Sequence, residues 1–194
     1  YMKNFKKKFS ALALTALFAS MQVSYAAIDT GLGVGNGGAV INNTSGGFVN
    51  MTTGNGSANL NFDNNSHINW DTLNVNKNES LNFNAVNGAN NLTILNTVNQ
   101  GMTKVYGQIN ANNGIGKLII SNPNGMLFDG AKFTTAGDLQ LTTKDLTNIR
   151  VEDLNNLNLD NAKFKQIYNN DGDLVGIKVV NNSEFNIGGE YNIV

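Results

Sequence analysis

Few residues in this 194-residue chain are suited to covalent or metal chemistry: it has no cysteine, one histidine, one tryptophan and one proline. His67, beside Trp70, reads as a surface or turn residue. One imidazole without cysteines or clustered carboxylates cannot complete a zinc site of ordinary type. Gly33-x-Gly35-x-x-Gly38 has the spacing of a dinucleotide fingerprint. No strand precedes it and no helix follows it, so it implies no cofactor. A polysaccharide-cleaving site needs carboxylates gathered on one face, with a cation to stabilise developing charge. Arg150 is the only arginine, and the acids are scattered through turns. The chain therefore reads as a non-enzyme, with no catalytic, cofactor-binding or metal residues. Sequons such as Asn50-Met51-Thr52, Asn78-Glu79-Ser80 and Asn91-Leu92-Thr93 are what an asparagine-rich sequence supplies by chance.

The most organised stretch is Gly107–Gly130. In it, Leu118-Ile119-Ile120 and Met126-Leu127-Phe128 flank Ser121-Asn122-Pro123-Asn124-Gly125. Pro123 sets φ for the second position of a type I turn, Asn122 suits the first and Gly125 the last. Proline has no N–H to give a sheet, so it belongs at a corner between strands. Asn122, Pro123, Asn124 and Gly125 are the candidate functional motif.

The elements that must position this turn are strands. Asparagine makes up roughly one residue in five, with 21 glycines and 14% charged residues, a composition poor in helix formers. Asparagine suits tight turns, and in register its side chains form hydrogen-bonded ladders. With 41% hydrophobic and 8% aromatic residues the chain is folded rather than disordered. Lys3, Lys6, Lys7 and Lys8, the apolar run Phe9–Met21 and Ser24-Tyr25-Ala26 form a signal-peptide pattern over residues 1–26, with Met2 as the natural start. The run is short for a membrane span. Its removal leaves nine basic against 14 acidic residues, a net charge of −5, which excludes a nucleic-acid or anionic-lipid footprint. An exported chain without cysteine fits one that crosses a further membrane unfolded.

Residues 27–194 read as one all-β domain. Residues 27–57 supply short strands at Ala39-Val40-Ile41 and Gly47-Phe48-Val49 that cover the start of the fold against aggregation. Two-residue alternation follows at Leu60/Phe62, Ile68/Trp70, Leu73/Val75 and Leu81/Phe83, then at Leu139/Leu141, Leu157/Leu159 and Ile177/Val179. Asp129–Phe133 is echoed by Asp160–Phe164 and by Ser183–Ile187. Such spacing predicts a solenoid without helices, in which each rung stacks on the last. Placing the first two echoes on adjacent rungs sets Lys132 beside Lys163. Asp171-Gly172 predicts a hairpin projecting from the solenoid.

From about Ala58 to Leu146 the order of landmarks resembles the N-terminal secretion domain of two-partner secretion exoproteins, the filamentous-haemagglutinin-like group, and most of all its high-molecular-weight adhesin branch. The landmarks are Ile68-Asn69-Trp70, Leu73-Asn74-Val75, Glu79–Phe83, Asn96-Thr97-Val98, Gly107–Asn112 and Asn122–Met126, with Asn69, Trp70, Asn96, Gly107, Asn110 and Asn112 as marker residues. The haemagglutinin branch's "NPNL" is missing, and Asn96-Thr97-Val98-Asn99 stands there instead.

The resemblance implies a right-handed parallel β-helix with an N-terminal cap and a small extra-helical hairpin, at the front of a longer exoprotein. It also implies recognition in the periplasm of a Gram-negative-type bacterium by an outer-membrane β-barrel transporter of the TpsB/Omp85-like class. The transporter's POTRA domains would grip the chain, which then nucleates β-helix folding at the cell surface or outside. The chain itself reads as a fragment of that exoprotein. The second reading is a direct adhesin for host glycans or proteins.

Overall fold

The computed structural model describes residues 26–157, 159 and 176–194. Its strands build a parallel β-solenoid of four turns and part of a fifth, with three strands to a turn. The first turn is β3 (Ser57–Thr72), bent so that its two halves serve two faces, and then β4 (Asn74–Val75). The second is β5 (Ser80–Ala85), β6 (Leu92–Val98) and β7 (Thr103–Val105). The third is β8 (Gln108–Ala111), β9 (Ile115–Ser121) and β10 (Met126–Asp129). The fourth is β11 (Lys132–Thr135), β12 (Asp138–Thr142) and β13 (Ile177–Val180). β14 (Glu184–Ile187) and β15 (Tyr191–Ile193) begin the fifth.

Alternation within each strand sends one set of side chains inward, and stacking lines them up in rows. On the first face the rows are Ala58–Leu81–Ile109–Phe133–Phe185 and Leu60–Phe83–Ala111–Thr135–Ile187. On the second, Ser66–Ile94–Leu118–Leu139–Tyr191 runs beside Ile68–Asn96–Ile120–Leu141–Ile193. On the third, Val75–Val105–Phe128–Val179 closes the triangle. Phe62 stacks on Phe83 and Phe133 on Phe185, with ring centres 6.2 and 5.8 Å apart. Each such ring is worth about 1.5–3 kcal/mol when removed from water.

The first turn does not end in a bare edge. β2 (Val40–Gly54) runs antiparallel along the whole of β3, joined to it by Asn55-Gly56, and β1 (Ile28–Asp29) pairs with its start. Asn55 and Gly56 lie at φ 51° and 72°, the left-handed geometry that a two-residue hairpin of this kind demands. The expected short strands at 39–41 and 47–49 thus belong to one long strand with register shifts at Val40–Asn43 and Gly46–Asn50. The glycine-rich loop 31–38 covers the end of the third face. Asn74 Nδ2 donates to Gly38 O at 2.9 Å, and Glu79 Oε2 accepts from both Gly33 N and Asn76 N. The spacing that mimics a nucleotide fingerprint is a cap loop.

Two expectations about the later turns need correction. Lys132 is flanked by Gln108 on one side and Glu184 on the other, so Lys163 is not its rung neighbour. The echo that stacks on Asp129–Phe133 is Ser183–Ile187, with Phe133 over Phe185. Residues 143–176, inserted between β12 and β13, displaced the count. Leu157 and Leu159 form no strand among the described residues. They follow a 3-10 segment, Val151–Asn156, and pack with Leu146, Ile149, Val151 and Leu154 against Leu95 and Ile119 on the outer side of β6 and β9. That second apolar cluster explains why every residue of β6 is buried. Residues 1–25 of the signal-peptide pattern, the Asp160–Phe164 echo and the Asp171-Gly172 hairpin lie outside the described residues.

Candidate functional site: the Asn122 corner

β9 ends at Ser121, and the next four residues turn the chain onto the third face. Gly125 N donates to Asn122 O at 3.0 Å, which closes the turn with Pro123 at its second position. Gly125 sits at φ +91°, where a side chain is disfavoured. Asn122 is the buried centre of the corner, with no exposed surface. Its Oδ1 accepts from Asn124 N at 2.8 Å, the Asx geometry that pre-forms a turn. Its Nδ2 donates to Gly101 O at 3.0 Å and to Thr103 Oγ1 at 2.9 Å. Asn122 N donates to Thr142 O, and Thr103 N to Gly125 O. Asn122 therefore ties the corner of the third turn to that of the second through its side-chain amide and to the fourth through its backbone N–H. Asn124 holds the rim, with one long contact from its Nδ2 to Asn99 O at 3.4 Å.

The marker residues do not converge on a cleft; they sit at joints of the solenoid. Trp70 and Asn96 meet inside it, both fully buried, with Trp70 Nε1 donating to Asn96 Oδ1 at 3.0 Å. Asn96 Nδ2 donates to Ile119 O at 3.1 Å. An amide thus stands in a row otherwise made of isoleucine and leucine, because it satisfies the indole and a carbonyl that no methyl could. Asn69 Oδ1 accepts from Asn99 Nδ2 at an outer corner. Gly107 bends where a Cβ would lie 2.2 Å from Asn76 O and 2.4 Å from Glu79 O. Asn112 spends its amide on Ala85, accepting from its N and donating to its O.

Asn110 belongs to a ladder. Asn110 Nδ2 donates to Asn82 Oδ1 at 2.9 Å, and Asn82 Nδ2 to Asn59 Oδ1 at 3.1 Å. A second ladder runs from Asn84 to Asn61 at 3.2 Å and from Asn61 to Asn50 at 2.7 Å. All four bonds point toward the cap.

His67 is not a surface or turn residue. It is buried on the outer side of β3, beneath the inserted segment. Its Nδ1 lies 3.0 Å from Ile149 O and its Nε2 lies 2.7 Å from Thr97 Oγ1. A carbonyl only accepts, so Nδ1 carries the proton and Nε2 accepts from the threonine. Burial pushes the His67 pKa down, partly opposed by the bond to Ile149. Among the described residues no three His, Cys, Asp or Glu side chains gather as a metal site. Arg150 is exposed and paired with Asp153 and Glu152.

Sequence reasoning missed Gly101, Thr103, Thr97 and Ile149 as partners, because each comes from another turn. It also missed Glu79 as the anchor of the cap loop, although an acid three residues after Asn76 is a recognisable turn signal.

No family model matches the chain, and no curated protein matches it. Its structure is similar to the crystal structure of the HMW1 secretion domain from Haemophilus influenzae, with a TM-score of 0.53 and 21% sequence identity. The match covers 78% of this chain and 36% of that one, so the present chain spans about a third of its structural neighbour.

Proposed function

We propose that residues 27–194 act as the secretion domain of an exported exoprotein, recognised in the periplasm by an outer-membrane β-barrel transporter. The observation that carries this reading is the likeness of fold to a secretion domain. The Asn122 corner and the Trp70–Asn96 joint fall on the landmarks through which the sequence resembles that group. In this reading residues 1–26 direct export to the periplasm, and the transporter's soluble domains bind extended segments by strand addition. Backbone hydrogen bonds then give affinity with little demand on sequence. Outside the cell the capped first turn is the template, since each later turn can bury its apolar row only against a neighbour. The role of Asn122–Gly125 is to fix the corner between β9 and β10 in the third turn. No step of this function needs catalysis.

The test is export of the chain in a Gram-negative host carrying a cognate barrel transporter, with Asn122→Ala and Asn124→Ala compared. Wild type is expected in the medium and in pull-downs with the transporter's periplasmic domains. Asn122→Ala is expected to accumulate in the periplasm and be degraded there. Equal export with and without the transporter would refute the proposal.

A further inference from the structure

We propose that the outer face of β3, β5 and β8 is a docking surface for a neutral, hydroxyl-rich polysaccharide. This goes beyond the secretion reading and does not depend on it. The outward positions of these three strands stack in register as Ser57–Ser80–Gln108 and Asn59–Asn82–Asn110, with Asn61–Asn84 completing the grid. Asn50 of β2 extends it by one strand through its bond to Asn61. Every one of these side chains is an amide or a hydroxyl, and none is charged. Charge borders the grid at exposed Asp63, where β3 leaves this face, and enters it on the fourth and fifth strands as Lys132 and Glu184.

The ladders leave hydrogen-bonding capacity over. Asn61, Asn84 and Asn110 each spend one N–H on the next amide, and an amide has two N–H groups and two lone pairs. The remainder faces solvent in a fixed array, spaced about 4.8 Å across the strands and about 6.8 Å along them. Sugar hydroxyls also donate and accept at once, so a neutral glycan can meet such an array without an orphaned partner. A polyanion would lose hydration over the grid, and Lys132, beside Gln108, already neighbours Glu184. Because the ladder already holds the rotamers, binding freezes little side-chain freedom. The face is shallow, so affinity accumulates from repeated weak contacts along one polymer.

Affinity electrophoresis tests this, with the purified chain run through gels containing dextran, laminarin or hydroxyethylcellulose and, for contrast, alginate. Retardation by at least one neutral polymer and none by alginate is expected. Asn82→Lys with Asn110→Lys should weaken retardation roughly three- to tenfold per lost contact. Gln108→Lys lies on the same face and outside the ladders, and it should weaken binding by a similar single step. Its result carries the test should the double variant fail to fold by circular dichroism. Lys104→Ala, on the third face, should bind as wild type. The proposal is overturned if no neutral polymer retards the chain or alginate does so equally. It is also overturned if folded Gln108→Lys binds unchanged, or if sedimentation shows that this face joins two copies of the chain.

Discussion

Replacing Asn122 with alanine removes three hydrogen bonds at once, to Gly101 O, Thr103 Oγ1 and Asn124 N. Each is worth about 1 kcal/mol, and the corner is too buried for water to replace them cheaply, so the loss should be about 3 kcal/mol. In a domain of this size that lowers Tm by roughly 6–12 °C. Asn124 makes a single 3.4 Å contact, and Asn124→Ala should cost about 0.5 kcal/mol or less. Gly125→Val forces a β-branched residue to φ +91°, at a cost of about 1–3 kcal/mol. Asn122→Asp keeps the acceptor for Asn124 N but turns a bare oxygen toward Gly101 O, so at pH 7 it should be at least as harmful as alanine. Urea unfolding of the purified variants reads all four. From the sequence the three turn positions look equivalent; the structure ranks them Asn122, Gly125, Asn124. Equal losses at Asn122 and Asn124 would refute the idea that a buried amide, rather than turn propensity, holds the corner.

Asn96→Leu should destabilise by about 2–4 kcal/mol despite matching its apolar row, because the Trp70 indole N–H and Ile119 O both lose a partner. Adding Trp70→Phe should cost less in that background than in wild type, as a urea double-mutant cycle would show. His67 is held neutral in the fold, with its pKa depressed. Above about pH 6.5 the ring is neutral in both states and its contribution is complete. As pH falls through the unfolded-state value the unfolded chain takes up the proton first, and stability declines until the folded ring also protonates. His67→Gln should flatten that stretch of the stability–pH curve, read by urea midpoints between pH 7.5 and 5. Lys132 and Glu184 are in-register neighbours on parallel strands, about 4.8 Å apart and within disulfide reach. Lys132→Cys with Glu184→Cys should therefore cross-link in purified oxidised protein, read as a shift on non-reducing gels.

Much of the architecture was legible because it is local. Leu60 and Phe62, or Leu139 and Leu141, alternate whatever lies above them, and Asn122-Pro123-Asn124-Gly125 is a turn on its own terms. The abundance of asparagine announced ladders, and Asn59–Asn82–Asn110 is one. Properties that depend on vertical neighbours were hidden. Nothing beside His67 in the sequence says that Ile149, 82 residues later, will cover it. Trp70 and Asn96 are both recognisable markers, yet their bond depends on a register that only stacking fixes. The outer side of β6 reads as exposed by alternation and is buried because the insertion lies on it. The Lys132–Lys163 expectation failed for the same reason, since a repeat of five residues cannot reveal what was inserted between its copies.

That insertion has a further consequence for how the chain finds its register. From Ser57 to Ser80, Ser80 to Gln108 and Gln108 to Lys132 the climb takes 23, 28 and 24 residues. From Lys132 to Glu184 it takes 52. The entropy lost in closing a loop grows only with the logarithm of its length, so this doubled excursion costs about 0.6 kcal/mol more than an ordinary turn. The stacking of Phe185 on Phe133 is worth as much by itself, at about 0.5–1.5 kcal/mol beyond burial. A solenoid built this way can carry long excursions at its corners for less than the gain from one aromatic step.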